Sequence, residues 1–350
     1  MDTSFREKKI IFFLLERESL PSSGIHAALV RSGDDVSVVT VKRTLSDMAA
    51  RGSILVTGAG RATTYRISLP GRIFADIDVR AYCAVEPDRR FGLERYNFDL
   101  FTGLPTEIFS SDESRVLEEA TAEYTRRTTD LPPAIAKKEL ERLIIELSWK
   151  SSKIEGNTYT LLDTEKLILE DQEAAGHDRK EAQMILNHKE AFTFVRENAA
   201  QFQTPTFAGI ERLHAILVKD LSIGPGLRSK PVGITGSLYQ PLDNVHQIRE
   251  GMEAFLDALR RVESPYAKAL ISLLGVSYLQ PFEDGNKRTA RLLGNAVLLA
   301  YSCAPLSYRS VEENEYREAT LVFYELNSIV PFKKIFIEQY DFAARNYAVR

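Results

Sequence analysis

Residues 279–291 read L-Q-P-F-E-D-G-N-K-R-T-A-R and follow an apolar run over 271–279. From position 284 onward, a carboxylate (Asp284), a glycine (Gly285), an amide (Asn286) and three cations (Lys287, Arg288, Arg291) crowd together. Leu292, Leu293 and Val297 follow at the spacing of a buried helical face, so the preceding loop delivers its N–H groups to a helix N-terminus. Free N–H groups and the positive end of the helix dipole make such a place an anion site. Gly285 permits a sharp turn and close approach of a ligand to the backbone. Arg288 and Arg291, three apart, share a helical face and can hold two phosphate groups. Asp284 supplies one carboxylate, which suits a magnesium ion that bridges phosphates and keeps most of its waters. The plainer reading of Asp-Gly-Asn is a turn and a cap with solvated arginines.

A second stretch, S-S-K-I-E-G-N at 151–157, ends a helix that carries Leu140, Leu143, Ile144 and Leu147. Ser151 and Glu155 are four apart and face the same way, and Gly156 is a natural stop. Glu155 is then either an ordinary helix end or a carboxylate aimed at one of the arginines.

Together, S-S-K-I-E-G-N-T and Q-P-F-E-D-G-N-K-R-T-A-R resemble the Fic family of protein-modifying enzymes. The family motif runs His-x-Phe-x-Asp/Glu-Gly-Asn-Gly/Lys-Arg-x-x-Arg. The first stretch resembles the Ser/Thr-x-x-x-Glu-Gly/Asn motif of members whose inhibitory helix lies upstream, here near 139–155. The resemblance covers about residue 113 to the C-terminus. It implies AMPylation, a nucleotidyltransferase reaction moving AMP from magnesium-ATP onto a hydroxyl side chain of a target protein, with pyrophosphate released. By resemblance Asp284 holds the metal. Gly285, Asn286 and Lys287 contribute to an anion hole, Arg288 holds a phosphate, and Arg291 contacts the terminal phosphate of ATP. Glu155 on Arg291 would block that pose, which is autoinhibition: two anions compete for one guanidinium. A flap with Val232, Ile234 and Tyr239 would dock the target segment as an added strand. A homodimer is a further family-level implication.

This sequence departs from the motif at Gln280, where the family has the histidine that takes the proton from the target hydroxyl. Histidine suits that task because its pKa lies near neutrality. An amide can orient a hydroxyl but cannot accept its proton, and loss of a general base typically costs roughly 10²–10⁴-fold. Positioning and electrostatic stabilisation, which carry most phosphoryl-transfer catalysis, would survive. The five histidines (His26, His177, His188, His214, His246) lie elsewhere in the chain, and such residues are more often structural than catalytic. Lys287 also occurs in the phosphotransferring death-on-curing branch, so phosphate transfer is the minority reading beside AMP transfer.

These residues must be held by a mainly helical domain. Helical periodicity predicts helices over 113–127, 134–154, 162–172, 181–198, 207–220, 245–261, 265–279, 286–301, 312–327 and 332–346. Residues 230–241, rich in Gly and Pro, predict a β-hairpin flap within 113–350. Upstream, three helical stretches and a hairpin around Gly58-Ala59-Gly60 give residues 1–70 the order of a small α/β winged helix-turn-helix domain. Residues 71–112 read as an ordered connector with isolated aromatics. In a winged helix, Thr40, Lys42, Arg43 and Thr44 would face a major groove and Arg61 would sit on the wing, so DNA is a candidate partner. The same fold also serves as a protein-contact module. A non-catalytic, nucleotide-sensing transcriptional regulator is therefore the alternative to an adenylyltransferase.

Among 350 residues, 44% are hydrophobic and 27% charged, with a formal net charge of -4, so no whole-chain field marks a nucleic-acid or membrane binder. No apolar stretch is long enough to span a bilayer. Two distant cysteines, Cys83 and Cys303, and no export signal give the expectation of a cytoplasmic protein without a membrane partner.

Overall fold

The computed structural model describes residues 4–349. Its contacts divide the chain into two compact units. The first comprises Met1–Pro105, Ile234–Gln240 and Glu318–Lys333; the second comprises Thr106–Gly233, Pro241–Arg317 and Lys334–Arg350.

The first unit opens with α1 (Phe5–Glu16), α2 (Ser22–Arg31) and α3 (Val38–Ala50), then β1 (Ile54–Thr57) and β2 (Thr64–Ile67). Ser4 and Glu7 form a capping box at the start of α1, and the Ser37 hydroxyl accepts from the Thr40 N–H at the start of α3. The strands pair antiparallel, with Ile54 opposite Ile67 and Thr57 opposite Thr64. Leu20, between α1 and α2, adds a one-residue bridge to Tyr65 through two backbone hydrogen bonds of 3.0 and 2.8 Å. The helices and this small sheet close over Ile10, Leu14, Ile25, Leu29, Val41, Leu45, Met48 and Ile54, with Val322 and Leu326 in the same core. Short helices α4 (Leu69–Ile73), α5 (Val79–Cys83) and α6 (Asp99–Thr102) follow.

Residues 234–240 of this unit depart from the expected hairpin. They form no paired strand; a single parallel bridge joins Arg95 to Gln240. Side chains satisfy the backbone instead of a neighbouring strand. The fully buried Glu325 accepts from Ser237 Oγ at 2.7 Å, the Leu238 N–H at 3.2 Å and Tyr82 Oη at 2.8 Å. Arg90 pairs with Glu325 at 3.3 Å and donates to the Gly236 carbonyl. A carboxylate out of water is tolerated when paired and hydrogen-bonded in this way.

The second unit is helical: α7 (Ser111–Thr128), α8 (Pro133–Ile154), α9 (Leu161–Glu170), α10 (Arg179–Glu197), α11 (Phe207–Leu217), α12 (Val245–Arg261), α13 (Pro265–Leu279) and α14 (Asn286–Ala300). α15 (Glu313–Leu326) starts in this unit, and most of α16 (Val330–Asn346) ends it. Pro265 opens α13 at a position where its missing N–H costs nothing, and Ser264 caps it. Every residue of α13 from Tyr266 to Leu279 is buried, so this mainly apolar helix is enclosed on all sides and forms the centre on which α14 packs.

One buried cation fixes the end of α13. Arg228 donates from Nε to the Gln280 carbonyl at 2.6 Å, from Nη1 to the Lys230 carbonyl at 2.8 Å and from Nη2 to the Leu242 carbonyl. Its own N–H reaches the Pro281 carbonyl at 3.0 Å. An Arg228→Met substitution keeps the bulk but strands these carbonyls. At about 1–3 kcal/mol for each buried group left unsatisfied, a loss of roughly 3–5 kcal/mol is expected in urea unfolding.

Candidate phosphate-binding site

The loop between α13 and α14 is a hydrogen-bonded knot. Gln280 ends α13 in the left-handed region (φ 48°, ψ 55°) and Gly285 precedes α14 at φ 78°. Asn286 ties the span together: Oδ1 accepts from the Phe282 N–H at 2.9 Å, while Nδ2 donates to the Phe282 carbonyl at 2.9 Å and to Gln280 Oε1 at 3.0 Å. The other end of the Gln280 amide donates to the Ser277 carbonyl at 2.6 Å. Gln280 is therefore a buried brace of the loop, with both ends of its amide engaged. A Cβ on Gly285 would lie 3.1 Å from Val218 Cγ1 and 3.5 Å from Arg288 Nη2, besides the strain of its φ.

Beneath the loop lies His214 of α11. Its ring stacks on Phe282 at 3.8 Å with planes 9° apart, and Nε2 sits 2.9 Å from the Asp284 carbonyl. Burial pushes its pKa down to about 4, against a hydrogen bond to Asp284 that favours the proton. The ring is thus neutral near pH 7 and holds the Asp284 backbone while the Asp284 side chain stays 67% exposed. Asp284 Oδ1 accepts from the Gly285 N–H at 2.6 Å and Oδ2 lies 3.4 Å from Arg288 Nη2.

The two arginines of α14 are both buried, Arg288 at 2% exposure and Arg291 at 0%. Arg291 is nearly saturated: Nε donates to Ser151 Oγ and Nη2 to the Ser151 carbonyl, each at 2.8 Å, and Nη2 lies 2.9 Å from Glu155 Oε1. The Tyr316 ring packs 5.6 Å from its guanidinium carbon. Lys287 Nζ approaches the second Glu155 oxygen at 3.6 Å. Burial alone would raise the Glu155 carboxyl; Arg291 and Lys287 outweigh it and hold the pKa below the usual carboxylate value. Arg288 has less compensation. Burial lowers its pKa against the pull of Asp284 and Glu155, and its Nη1, like that of Arg291, is buried with no hydrogen-bond partner among the described residues. A desolvated guanidinium with an unused donor fits an oxyanion, and phosphate is the oxyanion that two such forks suit.

Residues outside the two motifs hold Glu155 in place. Arg317 donates from Nε to the Ile154 carbonyl at 3.1 Å and from Nη2 to the same oxygen. Glu313 pairs with Lys150 and lies 3.8 Å from Lys153. Further back, Glu146 takes Arg309 and the Tyr347 hydroxyl. His188 of α10 is fully buried with neither ring nitrogen partnered among the described residues. Burial, then the charges of Arg291 and Arg288, drive its pKa well down.

The structure thus brings Ser151, Glu155, Lys287, Arg288 and Arg291 together, with Gly156 closing α8. Gln280, Asp284, Gly285 and Asn286 lie in the adjoining loop. Val232 and Ile234 are half-buried, and Tyr239 is buried within the first unit, its ring 5.8 Å from that of Tyr324. On α3, Thr40, Lys42 and Arg43 are exposed, as is Arg61, whereas the Thr44 hydroxyl turns back to the Thr40 carbonyl at 3.1 Å. The sequence reading passed over His214, Arg228, Glu313 and Arg317 as site-forming residues. Only His214 left a trace, a polar residue on the apolar face of Ile210, Leu213 and Leu217.

Comparison with known proteins finds the same family that the two motifs resemble. Residues 205–298 match the Fic/DOC family. Over 187 residues the chain is 27% identical to a protein adenylyltransferase Fic from Nematostella vectensis, covering 52% of this chain and 44% of that protein. The chain thus spans under half the length of this curated relative. Among solved structures, a Fic domain containing signaling protein from Bacteroides thetaiotaomicron superposes with a TM-score of 0.55 at 22% identity, over 65% of this chain and 94% of that one. Fic-1 from C. elegans superposes with a TM-score of 0.59 at 17% identity, over 68% and 72% of the two chains. The helical fold around this loop is that of the solved Fic structures, and residues 205–298 carry the match to the Fic/DOC family. Among the described residues no helix is long and apolar enough to cross a membrane.

The depressed pKa of His214 has a consequence for stability. The unfolded chain takes up this proton around the ordinary value of 6.5, whereas the folded ring resists it until about 4. The contribution is complete above pH 6.5 and is lost as pH falls toward 4, to a total of roughly 3 kcal/mol. His214→Gln should remove that dependence. The stability gap between wild type and variant, from urea melts at pH 7 and pH 4, is expected to move by about that amount in favour of the variant at the lower pH.

Proposed function

We propose that this protein is a Fic-type adenylyltransferase that binds magnesium-ATP at the N-terminus of α14, is autoinhibited by Glu155, and turns over slowly because Gln280 occupies the base position. The observation that carries this reading is the buried pair Arg288 and Arg291. Arg291 is neutralised by the carboxylate that ends α8, whereas Arg288 has only the exposed Asp284 at 3.4 Å, and each keeps a buried Nη1 with no hydrogen-bond partner among the described residues. Two phosphate sites, one blocked and one open, are what regulated nucleotide binding requires.

Among the described residues no group of three or more acidic, His or Cys side chains could hold a metal ion. Asp284 alone, exposed at the edge of the arginines, would hold a magnesium ion by one carboxylate, and the ion would supply charge neutralisation to the phosphates. Arg288 would hold a phosphate from below, and Arg291 would take the terminal phosphate once Glu155 leaves. In the transfer, the target hydroxyl oxygen bonds to the α-phosphorus, the bond to the β-phosphate oxygen breaks, and pyrophosphate departs. Gln280 can align the hydroxyl through its remaining lone pair, but the proton must pass to water or to the leaving group. Target proteins bearing a hydroxyl side chain are the implied partners, with residues 232–239 as the proposed docking segment.

Transfer from α- and γ-labelled ATP into lysate proteins tests the reading. Glu155→Gly should tighten ATP binding, and adding Gln280→His should raise α-label incorporation by about 10²-fold or more over Glu155→Gly alone. Label arriving only from the γ-position would assign phosphate transfer instead. Binding of ATP with no label in any variant would leave a nucleotide sensor. Arg317→Ala, which touches neither nucleotide nor Glu155 side chain, should produce part of the gain in ATP affinity by releasing the end of α8.

A further inference from the structure

The exposed face of α3 and the hairpin beside it have no part in nucleotide chemistry. Val41, Leu45 and Met48 face the core, and the opposite stripe presents Val39, Arg43, Ser46 and Ala50, all exposed. Val39 alone is 78% exposed, which is unusual for a large aliphatic side chain at the first turn of a helix. Charge is lopsided in the same place. From Val38 to Ile67 there are five cations, Lys42, Arg43, Arg51, Arg61 and Arg66, against one acid, Asp47, in a chain whose net charge is -4. Arg51 is paired with Glu7; the other four have no ion pair among the described residues.

We propose that this surface binds duplex DNA, with α3 in the major groove. The stripe carries the groups that read base edges: a guanidinium for the guanine acceptors, a hydroxyl that pairs with any base, and the methyls of Val39 and Ala50 for a thymine methyl. Lys42 and Thr40 at the flank, and Arg61 at the hairpin tip beside Gly58-Ala59-Gly60, take phosphates. Leu20 bridging to β2 fixes the hairpin to the helices, so helix and tip are presented as one rigid surface. Thr44, bonded back to Thr40 and half-buried, is not a reader; Ser46 takes that place. The major groove of double-stranded RNA is too deep and narrow to admit a helix, which makes DNA the ligand.

The test is fluorescence anisotropy of the full chain on a labelled random 30-base-pair DNA duplex across a salt series. Binding in the range of about 10⁻⁴–10⁻⁶ M that falls with salt is expected. Lys42→Ala with Arg43→Ala should weaken it more than tenfold, Arg61→Ala should lower the salt slope by about 1, and Ser46→Asp should abolish it without touching the core. Arg115→Ala with Arg126→Ala, the same charge change on α7, should leave binding within about twofold. Absence of binding at low salt, equal losses in the α7 control, or equal affinity for an RNA duplex would each overturn the proposal. None of these readouts depends on ATP.

Discussion

Burying two guanidinium groups on adjacent turns of one helix is the constraint to which the second unit is built. Moving a cation out of water costs several kcal/mol unless charge and hydrogen bonds replace the lost hydration. Arg291 receives Glu155, both donor contacts to Ser151 and the face of Tyr316. Among the described residues Arg288 receives a 3.4 Å approach from the exposed Asp284 and the more remote charge of Glu155. The difference defines the site. A guanidinium whose counter-charge comes from within the chain is charge-balanced without a ligand, whereas one left short is the better host for an outside anion. Lys287 enters the same balance, because its contact with Glu155 strengthens the internal anion against any external one.

Gln280 belongs to a different economy. Its amide bridges Ser277 and Asn286 at the junction of α13 and α14, and Arg228 holds its carbonyl from the far side. These contacts serve the shape of the loop, and the N-terminus of α14 is presented by that shape. A residue unable to take up a proton can therefore still be strongly required here. On the proposed reading, binding and proton transfer share one loop and are separable at this position.

Much of this was legible in the sequence because it rests on local rules. The start of α14 follows from Gly285 and the apolar spacing after it, and the end of α8 follows from Gly156. The pairing of Ser151 and Glu155 with Arg291 was legible only as the meeting of two motifs, since nothing in either stretch says that they touch. The supports of that meeting were not legible at all. Arg228 sits in an irregular stretch with no periodicity, and Arg317 and Glu313 look like solvated charges on the polar face of α15 until their partners on α8 are known. The hairpin expected at 230–241 failed for a related reason. Gly and Pro announce an irregular segment, but whether its N–H groups meet a strand or a buried carboxylate such as Glu325 depends on residues some 90 positions away.

Glu155 does not lie within the helix that presents it; it is the residue that ends α8, with Ile154 the last helical position before it. Freeing Arg291 from Glu155 therefore does not require all 22 residues of α8 to move. It requires the final turn to fray and one carbonyl, that of Ile154, to let go of Arg317. Terminal fraying is among the least expensive openings a folded chain can make, and it occurs without disturbing the core beneath. On the proposed reading, release of Arg291 is then a matter of the end-of-helix equilibrium of α8, set by a handful of side chains.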